Sequence, residues 1–110
     1  AYMCCPESTT TALHRAVLQS PAARHTALTT LFTGRPARGI LNRLMRELGP
    51  LNPAAPAFPL ATGAIAPLRA RAESQGSTDF TPLWSSQNAS QCRNVPAAEL
   101  TRALAEGLAR

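Results

Sequence analysis

Lysine is absent from this chain. All eleven of its Lys/Arg positions are arginine, against six acidic residues, giving a formal charge of +5 over 110 residues. A cationic balance raises nucleic acid or an anionic surface as partners. Aromatics are also scarce: Tyr2, Phe32, Phe58, Phe80 and Trp84 are all there are. The arginines are scattered, and no aromatics alternate with them to build a base-stacking platform. Zinc-finger, basic-zipper and RNP signatures are missing as well. The expectation is no nucleic acid.

Other absences narrow the chemistry. No apolar run reaches the roughly 18 residues of a membrane-spanning helix, so no membrane partner is expected. No charged leader precedes an apolar segment. His14 and His25 have no Cys, Asp, Glu or second His at metal-ligand spacing, which leaves the metal set empty and favours structural over catalytic histidines. Neither a Walker phosphate loop nor Gly-x-Gly-x-x-Gly occurs. Cysteines number three, with Cys4 and Cys5 adjacent. On a strand they would point to opposite faces, which disfavours a shared metal or an easy disulfide. Free thiols in a reducing cytoplasm are the simplest reading.

What is present suggests a mostly α chain with one or two short strands. Apolar residues make up 45%, but many are alanine, so the core should be thin. Ala1–Cys5 reads as a buried strand, and Ser8 or Thr9 as the N-cap of the helix through Ala12, Leu13, Ala16 and Val17. Ala27–Phe32 reads as a second strand. Ile40, Leu41, Leu44, Met45 and Leu48 share one face of a helix that Gly49-Pro50 closes. Leu51–Pro59 reads as an extended connector, Ala61–Ala66 as a short helical turn, and Pro67 as N1 of a helix stopped at Gly76. Thr81–Ser90 suits a loop as well as a short helix. Pro96 should sit at N1 of a last helix whose stripe is Leu100, Ala103, Leu104 and Leu108.

Two blocks stand out. Thr33-Gly34-Arg35-Pro36-Ala37-Arg38-Gly39, followed by Ile40-Leu41-Asn42-Arg43, sets two glycines and three arginine forks between apolar segments. An Arg-rich surface turn capping a helix accounts for it, as does a pin that reaches carboxylates or helix C-termini of a neighbouring domain. Leu83-Trp84-Ser85-Ser86-Gln87 joins a large aromatic to two hydroxyls and an amide. It reads either as a packed Trp with a polar loop or as the polar rim of a ligand site.

In order and spacing these segments, with Phe58-Pro59-Leu60, Pro67-Leu68-Arg69-Ala70 and Val95-Pro96-Ala97-Ala98-Glu99-Leu100, resemble the C-terminal third of bacterial nitronate monooxygenases, also called 2-nitropropane dioxygenases. The resemblance covers nearly all of the chain. It implies a fragment of a flavin-binding TIM (β/α)8 barrel plus its small helical domain. Residues 1–25 would be the last barrel strand and helix, 26–80 the small domain, and 81–110 a return loop and C-terminal helix. FMN is the implied cofactor, held mostly by residues upstream of Ala1. Ser86, Gln87 and Ala1 would border it, and Trp84 and Ser85 would line the substrate. The family has glycine where Ser86 stands, so a side chain here would crowd the flavin or shift the loop.

The implied reaction oxidises an alkyl nitronate with oxygen to a carbonyl compound and nitrite. The family's histidine base lies on an earlier strand, and neither His14 nor His25 matches it. No catalytic residue is therefore assigned, and the chain alone should be inactive. The remainder of the barrel would be its partner, with an oligomer allowed for. The alternative is a stand-alone helical module that binds an acidic protein partner. An apolar start without Met or cap favours a severed βα unit.

Overall fold

The computed structural model describes residues 1–109. It is mostly helical with a single two-stranded sheet, as the composition suggests. Helix α1 is Ala12–Leu18, followed by strands β1 (Thr26–Thr29) and β2 (Ala37–Ile40). Then come α2 (Arg43–Leu48), α3 (Leu60–Ser74) and α4 (Ala97–Leu108), and three 3-10 turns punctuate the chain.

Ala1–Cys5 is not a strand. Tyr2–Cys4 forms a 3-10 turn closed by the Cys5 N–H on the Tyr2 carbonyl at 3.0 Å. A five-residue apolar segment with no neighbouring strand cannot satisfy its backbone by pairing, so it closes on itself. Pro6 holds Cys5 extended (φ −66°, ψ 143°) and stops the turn there. The N-cap of α1 is Thr11 rather than Ser8 or Thr9: its hydroxyl accepts from the His14 N–H at 3.2 Å. Arg15 reaches back to the Ser8 and Thr10 carbonyls at 2.6 and 3.0 Å, which fixes the preceding turn in a non-helical shape.

β1 overlaps the segment expected to be a strand, starting one residue earlier and ending three earlier, and its partner is the arginine block itself. β2 pairs antiparallel with it, from Thr26 opposite Ile40 to Thr29 opposite Ala37. Ile40 thus belongs to the sheet, and α2 starts three residues later than its apolar stripe suggests. Asn42 sets that start, its Oδ1 accepting from the Met45 N–H at 3.3 Å. Its Nδ2 donates to the carbonyls of Thr78 and Thr81 at 3.1 and 2.9 Å, and the side chain is buried. One amide therefore caps a helix and clamps a distant loop.

α3 runs unbroken through Pro67, so no separate helix begins there. Proline removes the bond to the carbonyl four residues back. That residue is exposed Gly63, whose freed carbonyl is open to water. Gly76 does end the helix, with φ +77°. At the C-terminal end Pro96 is the N-cap, one place before the expected N1. The Glu7 carboxylate accepts from the Ala97 N–H, and the Tyr2 hydroxyl meets Thr101 Oγ1 at 2.9 Å. Only Leu100 of the expected stripe is buried, while Leu108 is 88% exposed. Arg110 lies outside the described residues.

Burial concentrates in two small clusters. Cys4, Leu18, Ala23, Ile40, Leu83 and Ala89 form one; Leu31, Phe32, Leu44 and Met45 form the other, with Ile65, Phe80 and Trp84 packed on it. The radius of gyration is 15.3 Å, against about 13 Å for a compact chain of this length. Leu48, Leu51, Phe58 and Leu60 stay about half exposed or more. The core is as thin as the scarcity of large apolar residues implies.

Candidate active site

The Leu83–Gln87 segment is held against β2 by backbone geometry. The Ile40 N–H donates to the Leu83 carbonyl at 2.8 Å, and the Ser85 N–H to the Arg38 carbonyl at 3.2 Å. Gly39 and Trp84 form an antiparallel bridge between them. A Cβ on Gly39 would lie 3.2 Å from the Leu83 carbonyl oxygen and 3.6 Å from the Trp84 ring, so glycine permits the approach. The arginine block and the Leu-Trp block, far apart in sequence, are thereby one structure.

Trp84 is half-buried and meets buried Phe32 edge-on, with ring centroids 5.9 Å apart at 89°. His14 Nε2 donates to the Trp84 carbonyl at 3.0 Å, tethering the loop to α1. Burial holds the His14 pKa below its ordinary 6.5, opposed by that hydrogen bond. Sequence reading set His14 aside because no titratable partner lies near it in sequence. Its partner is a backbone carbonyl, which leaves no sequence signal.

The polar members divide. Ser85 is buried, with its hydroxyl donating to the Ser86 carbonyl at 3.0 Å. Ser86 and Gln87 are exposed, and Ser86 Oγ accepts from the Asn88 N–H at 3.4 Å. Ala1 is exposed at the head of the first turn, and among the described residues no hydrogen bond joins it to this loop. Trp84, Ser85, Ser86 and Gln87 thus share one braced loop.

The three arginines of the block act locally. Arg38 Nη1 donates to Thr26 Oγ1 at 3.1 Å across the hairpin. Arg35 lies 4.3 Å over the Phe58 ring. Arg43 pairs with Glu47 on its own helix at 2.8 Å. Behind the loop, the Glu73 carboxylate accepts from Arg69 Nε at 2.7 Å and Thr81 Oγ1 at 2.8 Å. Arg69 draws the Glu73 pKa below its ordinary value, against the effect of burial.

The donor set suits the polar edge of a heterocycle. Gln87 offers an amide donor and acceptor, and Ser86 a hydroxyl, both accessible. It does not amount to a phosphate cradle. Gly34 (φ +91°), the positive-φ glycine of the arginine block, is packed under the 56–58 backbone, where a Cβ would come within 2.4 Å of the Phe58 nitrogen.

With this geometry in hand, the comparisons with known proteins are decisive as to family. The family model for nitronate monooxygenase matches residues 1–107, and the chain belongs to that family. It is 40% identical over 109 residues to a nitronate monooxygenase from Pseudomonas aeruginosa, covering 98% of this chain and 31% of that protein. A nitronate monooxygenase from Paraburkholderia phytofirmans is 34% identical over 106 residues, or 94% of this chain and 29% of that one. Among solved structures, nitroalkane oxidase from Streptomyces ansochromogenes superposes with a TM-score of 0.87 at 38% identity. That match covers 99% of this chain and 31% of the oxidase. The chain therefore spans about a third of the length of these relatives.

Proposed function

We propose that this chain is the C-terminal portion of an FMN-dependent nitronate monooxygenase that oxidises alkyl nitronates to carbonyl compounds and nitrite with oxygen. Membership of the family supports the reaction class. One observation carries the site reading: Leu83–Ser85 is fastened to β2 and His14, while Ser86 and Gln87 beyond it remain exposed. FMN supplies the redox chemistry of such an enzyme. Gln87 and Ser86 present donors and an acceptor to the polar edge of that group, and Ala1 stands near the rim of its phosphate site. The outward part of Trp84, with Ser85, walls the substrate.

No base for the nitronate resides in these residues, since His14 is engaged with a carbonyl and serves the loop. On its own the chain is inactive. The remainder of the barrel covers exposed leucines such as Leu51, Leu60 and Leu108. The acidic-partner module gains no support from the relatives. The test is nitrite release from a small alkyl nitronate by the polypeptide that carries this sequence at the full length of its relatives. Nitrite formation that requires FMN, with Gln87→Ala weakening FMN binding about tenfold, is expected. An FMN-loaded protein that releases no nitrite overturns the reading.

A further inference from the structure

Three free cysteines lie in two places: Cys4 and Cys5 at the first 3-10 turn, and Cys92 just after the turn Ala89–Gln91. Cys4 is 1% exposed within the first core cluster, and Cys92 packs against that same cluster from a half-buried position. Cys5, although also buried, is not part of the cluster. Both neighbourhoods are fixed by backbone bonds, Cys5 N–H to Tyr2 O at 3.0 Å and Cys92 N–H to Ala89 O at 2.9 Å.

The two thiols differ in access. Cys92 lines a cleft of about 350 Å3 together with Ser20, Arg24 and Ser90, so a small oxidant can reach it. Cys4 does not line that cleft and is buried in the cluster against which Cys92 packs. Burial raises the Cys4 thiol, and the Cys92 thiol beside it raises it further, so Cys4 stays protonated and does not react first. Among the described residues no group of three or more His, Cys, Asp or Glu side chains comes together as metal ligands. An accessible thiol backed by a second one is the arrangement that favours a disulfide over progressive oxidation.

We propose that Cys92 and Cys4 form a reversible oxidation site for small peroxides. The Cys92 sulfur attacks one peroxide oxygen; an S–O bond forms, the O–O bond breaks, and water leaves with the thiol proton. Cys4 then attacks the Cys92 sulfur, forming the S–S bond as the S–O bond breaks and a second water departs. Two thiols give up two electrons and hydrogen peroxide takes them. A small thiol such as glutathione returns them by exchange. The bond would fasten the N-terminal turn to the segment that follows Ser86 and Gln87, bracing the loop from a second side.

The test is peroxide treatment of the folded protein, alkylation, and tryptic digestion without reduction. Cleavage at arginine places Cys4 and Cys5 in residues 1–15 and Cys92 in residues 72–93. The expected product is these two peptides joined, two hydrogens lighter than their sum. Fragment ions between residues 4 and 5 should place the bond on Cys4, and glutathione should release it. Cys5→Ala keeps the link; Cys4→Ala loses it and lets Cys92 proceed to the sulfinic acid. Because fragment ions locate the bond in the unsubstituted protein, the result stands even if Cys4→Ala fails to fold. A link through Cys5, sulfinic Cys92 beside an alkylatable Cys4, or an unreacted Cys92 overturns the proposal.

Discussion

His14 Nε2 donates to the backbone carbonyl of Trp84 across 3.0 Å, joining the first turn of α1 to the loop that carries every exposed polar group of the candidate site. The imidazole fixes where that loop leaves the sheet. Leu83 and Ser85 are held from the β2 side and Trp84 from the α1 side, so Ser86 and Gln87 depart from a braced point.

Burial of the His14 ring makes the fold sensitive to pH, and its bond to Trp84 opposes the effect. The folded pKa of His14 is depressed below 6.5, so the unfolded chain takes up the proton more readily and stability rises with pH. The contribution is complete above 6.5 and is lost as pH falls through the folded value. Glu73, also depressed, acts in a lower window: its contribution is complete above 4.5 and lost below it. Thermal midpoints measured from about pH 8 to about pH 2 should fall in two steps. His14→Gln, which keeps a donor for Trp84, should erase the first step and leave the second.

Asn42 joins a cap to a clamp. Asn42→Ala removes the Met45 acceptor and strands two carbonyls, those of Thr78 and Thr81, at a buried site. The expected loss is about 3 kcal/mol in urea unfolding. Asn42→Asp keeps the cap acceptor but sets a buried carboxylate against the Thr78 and Thr81 carbonyls, so at neutral pH it should be no more stable than Asn42→Ala.

The glycines of the hairpin should not be interchangeable with those at helix ends. Gly34→Ala combines φ +91° with a Cβ 2.4 Å from the Phe58 nitrogen, a backbone atom that cannot swing away. Gly76→Ala has φ +77° and open space. The second should cost about 1–2 kcal/mol of backbone strain and the first clearly more, with displacement of Phe58 from beneath Arg35. Equal thermal shifts for the two would contradict the packing described.

Sequence patterning revealed α1, α2 and α4, the stop at Gly76 and the thinness of the core, because periodic apolar residues and flanking Gly or Pro act locally, but it divided α3 in two at Pro67. It missed β2, since Ala37-Arg38-Gly39-Ile40 has neither alternation nor β-branched richness before Ile40. That strand exists because Leu83 and β1 supply its partners. It expected a strand at Ala1–Cys5, where the described residues offer no pairing partner and Tyr2–Cys4 closes as a 3-10 turn. Within the site, Trp84–Gln87 stood out through residue type. Asn42 and His14 did not, because their partners are main-chain carbonyls far along the chain.

Ser86 is a sharper probe of the ligand reading. Where it stands the family resemblance expects glycine, and its side chain here is exposed rather than packed. As the Ser86 hydroxyl borders the flavin edge in this reading, Ser86→Gly should weaken FMN binding severalfold in the longer protein, leaving the thermal midpoint of the flavin-free form nearly unchanged. Tighter binding after the exchange would mean that the side chain is an obstruction and not a contact.

The most direct test is the flavin content of two purified proteins: the native product of the gene that encodes this sequence, and the 110-residue chain by itself. The account predicts a yellow product longer than this chain with bound FMN, and a colourless short chain, because Ser86 and Gln87 supply an edge contact without a phosphate cradle. A native product that ends at 110 residues, folded and free of flavin, would contradict it.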